Sequence, residues 1–353
     1  MTSTITTDTH EHVDLLWDAV IEGDEYAARE VVAGALDAGL PAESVLLDVI
    51  GAVQRRVGEA WAEARINVAQ EHAATAINER VIASLPVRRR EIRHGRVTVA
   101  CVDGEWHALP ARLLAETLTL RGFAVDYLGA QVPAPHLIAH LHRTAPDAVA
   151  LSSSIPTRLP TAHATITACQ AAGVPVIVGG AAFGPDGRYA KLLGAQAWAP
   201  DARAAADRLA GEPLDRPLAV HQPIDDLPHL ADQEYSLVMR TSTTLVAGMY
   251  SGLAERVPAM REYTEQQRQY TAEDLAHIVE FLAAALYVGD SELFTGFLGW
   301  TTGILAARGV PPYTLRVGLD LLTAQLRDFP RASELLTEGA SHLDRLVQKE
   351  GPA

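Results

Sequence analysis

Val97-Thr98-Val99-Ala100-Cys101-Val102-Asp103-Gly104-Glu105-Trp106-His107-Ala108-Leu109-Pro110 is the stretch on which the fold turns. Its first six residues read as a strand, and a helix is expected after Pro110. Glu105-Trp106-His107 lies in the loop between them. A histidine in the loop after the first strand of an α/β domain can point at a ligand beyond the carboxyl edge of the sheet. A carboxylate two residues earlier can hold the other ring nitrogen, which fixes the tautomer and raises ligand basicity. Taken alone, such a pair also describes a solvated loop histidine beside a glutamate. Two later signals decide between these readings. Ser152-Ser153-Ser154 follows the strand-like run 148–151, and Gly179-Gly180 follows 174–178. Small residues at strand ends let a flat, bulky ligand lie against the backbone. Serine hydroxyls there can hydrogen-bond a buried heterocycle.

Outward from this stretch, residues 95–211 alternate strand and helix. Strands are expected at 97–102, 123–128, 148–151 and 174–178, with a short last one at 195–199. Helices are expected after Pro110, Pro135 and Pro160. The pattern predicts a doubly wound parallel sheet. Residues 10–86 read as four helices, with apolar residues at helical spacing in Val13, Leu16, Trp17 and Val20 and in Val45, Leu46, Val49, Ile50 and Val53. Turn signals sit at Gly23-Asp24, Gly39-Leu40-Pro41 and Ala64-Arg65-Ile66-Asn67. Arg88-Arg89-Arg90 makes a basic linker. Residues 212–232, broken by Pro213, Pro217, Pro223 and Pro228, form a second one. Residues 233–348 are helical again. A long helix from 234 to 263, interrupted near Gly252 or Pro258, is followed by one opened by Thr271 and Asp274 and one capped by Ser291. Helices over 313–326 and 332–347 complete this part. The expected architecture is multidomain α and α/β: a four-helix bundle, a doubly wound parallel-sheet domain and a C-terminal all-α domain.

A chain of 353 residues suggests two or three domains, and 48% hydrophobic residues supply a sizeable core. The net charge of −15 argues against a nucleic-acid-binding face. Cys101 and Cys169 are the two cysteines, so neither a disulfide framework nor a Cys-rich metal site is implied. The N-terminus is polar without an apolar signal core, and no apolar run is long enough to span a bilayer. The expectation is a cytoplasmic protein with no nucleic-acid or membrane partner.

The series of loop histidine, Ser-x-Ser and Gly-Gly at these intervals resembles the cobalamin-binding domain, whose pattern is D-x-H-x-x-G, S-x-L and G-G. The resemblance implies that His107 is the lower axial cobalt ligand and Glu105 its carboxylate partner. It implies that Ser152 and Ser154 contact the detached dimethylbenzimidazole tail, which passes close to the chain at Gly179 and Gly180. Glu105 stands where that family has Asp, and Pro110 where it has Gly.

Trp61, followed ten residues later by Glu71-His72, forms a second constellation. Read locally, Trp61 is a core aromatic and Glu71 an acidic residue suited to a helix start. Beside a cobalamin domain, W-x9-E-H resembles the cap bundle of light-dependent carotenoid-gene repressors, which use adenosylcobalamin as a chromophore. That resemblance implies Trp61 packing near the adenosyl group, Glu71 hydrogen-bonding it and His72 lining the same face. A bulky aromatic and a carboxylate suit a purine and ribose hydroxyls better than a methyl group. Ala62 stands where those repressors often carry a cobalt-binding histidine, and only about a dozen residues precede Asp14, too few for their DNA-reading module.

Over the whole chain, cap bundle, cobalamin domain and helical C-terminal domain resemble the photocobilins, in which a cobalamin domain is joined to a globin-like, biliverdin-binding domain. Arg240, Arg261, Arg268, Tyr263 and Tyr270 fall in or near the first C-terminal helices, and arginine forks pair bidentately with carboxylates such as those of a tetrapyrrole. Phe281, Tyr287, Phe294, Phe297 and Trp300 recur at helical spacing and equally describe an ordinary core. His136, His140 and His142 crowd one helix with no third ligand apparent, and His277 on an apolar helix reads as a core or surface residue. Gly184-Pro185-Asp186-Gly187 reads as a turn, and Ser152 with His107 lacks the G-x-S-x-G elbow of a hydrolase.

These readings favour a light sensor, without catalytic turnover of its own, that binds adenosylcobalamin and biliverdin and acts through light-dependent homo-oligomer assembly or a protein partner such as an effector enzyme. Two alternatives stand beside it: a corrinoid methyl carrier of a methyltransferase system, and a cobalamin-dependent signalling protein whose C-terminal helices bind a protein. No cysteine follows Cys169, so the C-terminal helices have no thiol of their own to tether a bilin. Any bilin held there is expected to be non-covalent or attached from another domain; if it is non-covalent, zinc staining of the protein band after denaturing electrophoresis should give no bilin fluorescence.

Overall fold

The computed structural model describes residues 2–85, 91–216, 227–311 and 313–349, except for the side chains of residues 2–8, 347 and 349. Arg88-Arg89-Arg90, and Pro217 and Pro223 of the second linker, lie outside the described residues. The chain divides into two compact units, residues 1–155 with 161–220, and residues 156–160 with 221–353.

The first unit opens with a helical cap: α1 (Thr2–Glu22), α2 (Glu25–Asp37), α3 (Ala42–Ser44), a π-helical turn (Val45–Ile50) that runs on into α4 (Gly51–Ala62), and α5 (Val68–Ser84). Local chemistry sets the ends. Asp24 accepts from Ala27 N at 2.9 Å and starts α2. Asn67 and Gln70 form a reciprocal capping box that starts α5. Leu16, Val20, Val32, Leu46, Val49, Ile50, Val53 and Val81 pack as the cap's core.

The sheet part follows as β1 (Arg96–Cys101), α6 (Leu109–Leu120), β2 (Ala124–Gly129), α7 (Ala134–Thr144), β3 (Ala148–Ser152), α8 (Leu159–Ala171), β4 (Val176–Gly179), α9 (Arg188–Leu192), β5 (Ala197–Trp198) and α10 (Ala202–Ala210). The strand order is β2-β1-β3-β4-β5 and the pairings are parallel. The chain steps from β1 to β2 on one side and crosses back to β3 on the other. The loops after β1 and β3 therefore diverge and open a crevice at the carboxyl edge, which is where such sheets bind ligands. The expected short last strand is present as two residues, Ala197 and Trp198.

Helix α6 serves two cores. Leu109, Leu113 and Leu120 pack into the cap, while Ala111, Ala115 and Leu118 pack on the sheet. Ion pairs brace the same junction. Arg121, at the end of α6, donates to Glu43 at 2.8 and 2.9 Å and also pairs with Asp207, while Arg203 reaches Glu43 and Asp48. Partly exposed pairs of this kind contribute up to about 1 kcal/mol each. Burying one leucine contributes about 1.5–3 kcal/mol. The leucine seam therefore dominates, and the ions fix its registration.

The second unit comprises α11 (Glu234–Arg256), α12 (Glu265–Val288), α13 (Ser291–Ala307), α14 (Tyr313–Gln325) and α15 (Pro330–Lys349). The long first stretch breaks at Pro258, as expected for one of the two candidate positions. The start of α12 differs from the sequence expectation: Thr264 and Gln267 form the capping box, and Thr271 sits inside the helix with its hydroxyl on Gln267 O at 2.8 Å. A Thr-x-x-Gln box supplies the reciprocal bond that Thr-x-x-Asp lacks. Likewise Asp290, and not Ser291, caps α13. Phe281 and Phe297 stack with centroids 3.9 Å apart, Tyr287 and Phe294 are buried, and Trp300 is exposed. Among the described residues no helix is long and apolar enough to cross a membrane.

Glu234 joins the two ends of this unit. Its side chain is buried and accepts from Arg331 N at 3.1 Å and Ala332 N at 2.9 Å, which caps α15 across a large sequence separation. Glu234→Ala leaves two helix-terminal N–H groups unpaired. It is expected to destabilise this unit by about 1–3 kcal/mol, read as a lower thermal midpoint of the protein by circular dichroism.

Candidate functional site

The three sequence signals meet at one edge. Cys101 of β1 pairs in register with Ser152 of β3, and Ser152 with Gly179 of β4, so the loops that follow these strands leave the sheet side by side. Glu105 holds them together. Its side chain is fully buried, and its two oxygens divide the work. Oε1 accepts from His107 Nδ1 at 2.6 Å and from His107 N at 2.9 Å. Oε2 accepts from Ser154 N at 2.6 Å, Ile155 N at 3.2 Å and Ser153 Oγ at 3.2 Å. The next loop is tied on by Ser153 N, which donates to Gly179 O at 3.1 Å, and by Ala182 N, which donates to Ser153 O at 3.2 Å.

Electrostatics follow from this wiring. Burial pushes the Glu105 carboxyl up, but the bonds from the His107 ring, the His107 amide and the Ser154 amide outweigh it and hold the pKa at about 2. The Glu105 hydrogen bond raises His107 above its ordinary value, against the effect of burial, and the charges of Glu105 and Glu71 add to the rise. The cap carboxylate Glu71 is thus within electrostatic reach of His107. Burial, assisted by the Glu105 charge, pushes the Cys101 thiol up to about 12.

The chemistry of this donor set is specific. His107 is exposed and commits Nδ1 to a buried carboxylate, which leaves Nε2 as its ligating atom. Among the described residues no group of three or more His, Cys, Asp or Glu is arranged to hold a metal ion. A single anchored imidazole suits a metal that brings its own macrocycle. Gly180 supports the same edge: at φ +99°, a Cβ there would lie 2.2 Å from Ser153 O. Its smallness is required by the protein's own backbone, in addition to any ligand. Pro110 occupies the first turn of α6, where its missing N–H is no loss.

On the cap, Trp61 at the end of α4 is partly buried against the bundle core. Glu71, in the first turn of α5, accepts from His72 Nδ1 at 2.5 Å and from Thr75 Oγ1 at 3.1 Å. His72 itself is exposed.

Sequence reasoning missed Ser153 and the Ile155 amide as Glu105 donors. It also missed Tyr127, whose hydroxyl donates to Ala108 O at 3.3 Å and whose ring lies under Arg112 at 5.3 Å. No spacing rule links the β3 loop to Glu105, or Tyr127 of β2 to Ala108, so only the folded sheet reveals these contacts. The remaining candidates are spent elsewhere. His140 pairs with Asp126 at 3.3 Å, Arg268 bonds Tyr263 O and Glu265, and Arg240, Arg261, Tyr270 and His277 face solvent.

Residues 95–209 match the family described as B12 binding domain, and residues 13–85 match a second family of the same description. The chain is 30% identical over 183 residues to the HTH-type transcriptional repressor CarH of Myxococcus xanthus, a match covering 50% of this chain and 60% of that protein. It is 26% identical over 147 residues to trimethylamine corrinoid protein 1 of Methanosarcina acetivorans, covering 40% of this chain and 68% of that one. Among solved structures, the monomethylamine corrinoid protein of Methanosarcina barkeri is similar at 22% identity and a TM-score of 0.48, over 56% of this chain and 97% of that one. Together with the site geometry, the two domain matches indicate a cobalamin or other corrinoid cofactor for the cap and sheet.

The Glu105–His107 pair sets a pH window. Glu105, depressed below its ordinary 4.5, stabilises the fold fully above that value, and the contribution is lost as pH falls towards 2. His107, raised above 6.5, contributes below that value and loses its contribution as pH rises through the raised one. Glu105→Gln is expected to bring the His107 titration back towards 6.5, read by NMR of the ring protons. It should also lower stability by about 2–4 kcal/mol, because the Ser154 and Ile155 amides lose an anionic acceptor.

Proposed function

We propose that this protein is a light sensor that holds adenosylcobalamin between cap and sheet, with His107 as the lower cobalt ligand. The observation that carries the reading is the histidine anchored by a buried carboxylate at the sheet edge, with the cap carboxylate Glu71 near enough for its charge to help raise the His107 pKa. When bound, adenosylcobalamin supplies a cobalt–carbon bond that visible light breaks. The rest is the work of the chain's own side chains. Glu105 holds His107 in one tautomer and orientation. Ser152, Ser154, Gly179 and Gly180 line the edge along which a nucleotide tail runs. Trp61 offers an aromatic face, and Glu71 offers an acceptor to ribose hydroxyls or a purine amine.

Signalling follows from packing. The cap rests on α6 through Leu109, Leu113 and Leu120, and α6 begins two residues after His107. An event at His107 and one at the Trp61 face therefore bear on the same helix. Losing the group packed against Trp61 shifts the balance of cap positions, and with it contacts to another copy or to a partner. In this reading the protein has no turnover of its own. A bilin in the C-terminal helices belongs to it through resemblance alone.

The similarity to trimethylamine corrinoid protein 1 supports a second reading, a methyl-group carrier. Protein loaded with adenosylcobalamin in the dark, with and without biliverdin, separates the two by absorption before and after brief green illumination. The sensor reading expects the adenosylcobalamin spectrum to collapse within seconds and the elution volume to change. A carrier is expected to bind methylcobalamin at least as well and to keep its elution volume. A red band on adding biliverdin supports the second chromophore, and its absence removes it. His107→Ala is expected to weaken cobalamin retention and to shift the cobalt spectrum; unchanged retention and spectrum would move the ligand elsewhere.

A further inference from the structure

The cap holds a polar chain that none of these roles uses. Glu71, Thr75 and Asn78 stand four and then three residues apart on α5, so they share one face. Gln54 on α4 meets them. Asn78 Nδ2 donates to Gln54 Oε1 at 2.9 Å, Gln54 Nε2 donates to Thr75 Oγ1 at 2.7 Å, and Thr75 Oγ1 donates to Glu71 Oε1 at 3.1 Å. The far end is enclosed: Asn78 is fully buried, and its Oδ1 has no hydrogen-bond partner.

The direction of this chain is dictated by its Glu71 end. A carboxylate only accepts, so the single Thr75 proton goes to it. Thr75 Oγ1 must then accept, which turns the Gln54 amide so that its NH2 points to Thr75 and its oxygen to Asn78. Asn78 in turn presents its NH2, which leaves its own oxygen as the unpaired end. An unpaired buried amide oxygen is costly, and it is the natural terminus of a relay whose donors all run to one anion. Glu71 is thereby gripped on both oxygens, by Thr75 on Oε1 and by His72 on Oε2. On α4, Gly58 lies between Gln54 and Trp61, is exposed, and has nothing within 4 Å of where a Cβ would sit. The cap face is therefore firm at Glu71 and open at Gly58.

We infer that Asn78, Gln54 and Thr75 are positioning residues that fix the Glu71 carboxylate as an acceptor, so that the cap selects an upper cobalt ligand carrying hydroxyl or amino donors over a plain methyl group. The inference rests on the adenosylcobalamin reading of this face. A loose carboxylate would lose rotamer freedom on binding, and a fixed one has already lost it. Removing the Thr75 hydroxyl releases Glu71 Oε1, leaves the His72 bond to Oε2 and changes neither Trp61 nor His107.

The test is equilibrium binding of adenosylcobalamin and methylcobalamin to the full-length protein in the dark, read from the corrin absorption bands, for wild type, Thr75→Val, Thr75→Ser and Gln54→Met. Thermal midpoints by circular dichroism show that each variant folds. Wild type is expected to prefer adenosylcobalamin. Thr75→Val and Gln54→Met should each shrink that preference roughly five- to tenfold, and Thr75→Ser should keep it. A folded Thr75→Val or Gln54→Met with the wild-type preference overturns the relay while leaving the adenosyl reading intact. Equal loss of both affinities in the two variants overturns it too, since that is what a merely structural role does. A wild type with no preference overturns the adenosyl reading and the relay together.

Discussion

Five hydrogen bonds to one buried carboxylate organise the carboxyl edge of this sheet. Glu105 takes the His107 ring and amide on one oxygen, and Ser153, Ser154 and Ile155 on the other. A buried, ionised carboxylate survives only when its lone pairs are filled, and here two donors come from the loop after β1 and three from the loop after β3. The requirement to satisfy Glu105 therefore sets the path of both loops that flank the β1–β3 crevice. His107 is presented as a consequence, held by one nitrogen and open at the other.

Helix α6 carries that constraint into the cap. It starts immediately after His107, gives one face to the sheet and the other to the cap core, and ends at Arg121, which grips Glu43. Helix α6 supplies the apolar part of the attachment between cap and sheet, and ion pairs from Arg121 and from Arg203 of α10 set its register. The cap's own interior is polar where it approaches the cofactor side. The Asn78–Gln54–Thr75 chain reaches Glu71 through a bundle that is otherwise built from leucine, valine and isoleucine. Such an arrangement weakens the bundle locally, and it is kept where a carboxylate has to be aimed.

The C-terminal helices show where sequence pattern runs out. Aromatic spacing is compatible with a core at Phe294 and Phe297, and both are buried, while Phe281 is half-buried and stacks on Phe297. It could not separate Trp300, which has the same periodicity and faces outward. The arginines and tyrosines singled out there are surface residues or local caps, because charge and aromaticity alone do not make a concave site. The helix starts differ from local expectation for a related reason: Thr271 and Ser291 look like caps, yet Thr264, two turns before Thr271, and Asp290, directly before Ser291, make the side-chain bonds to the first turn.

By itself the sequence determined the parallel sheet and its strand ends. Hydrophobic runs bounded by Gly, Ser and Pro are local signals, and the pairing of a loop histidine with a glutamate two residues away is local too. It also determined the helical cap and the position of Trp61, Glu71 and His72 on either side of one turn. Tertiary structure decided which groups complete the site. Ser153 and Ile155 reach Glu105 from β3, Gly180 is small because Ser153 backs onto it, and Gln54 faces Thr75 and Asn78 from another helix. Each of these contacts joins residues far apart in the chain, through side chains whose directions depend on strand order and helix packing. No spacing along one chain encodes that, because the partner is chosen by the fold.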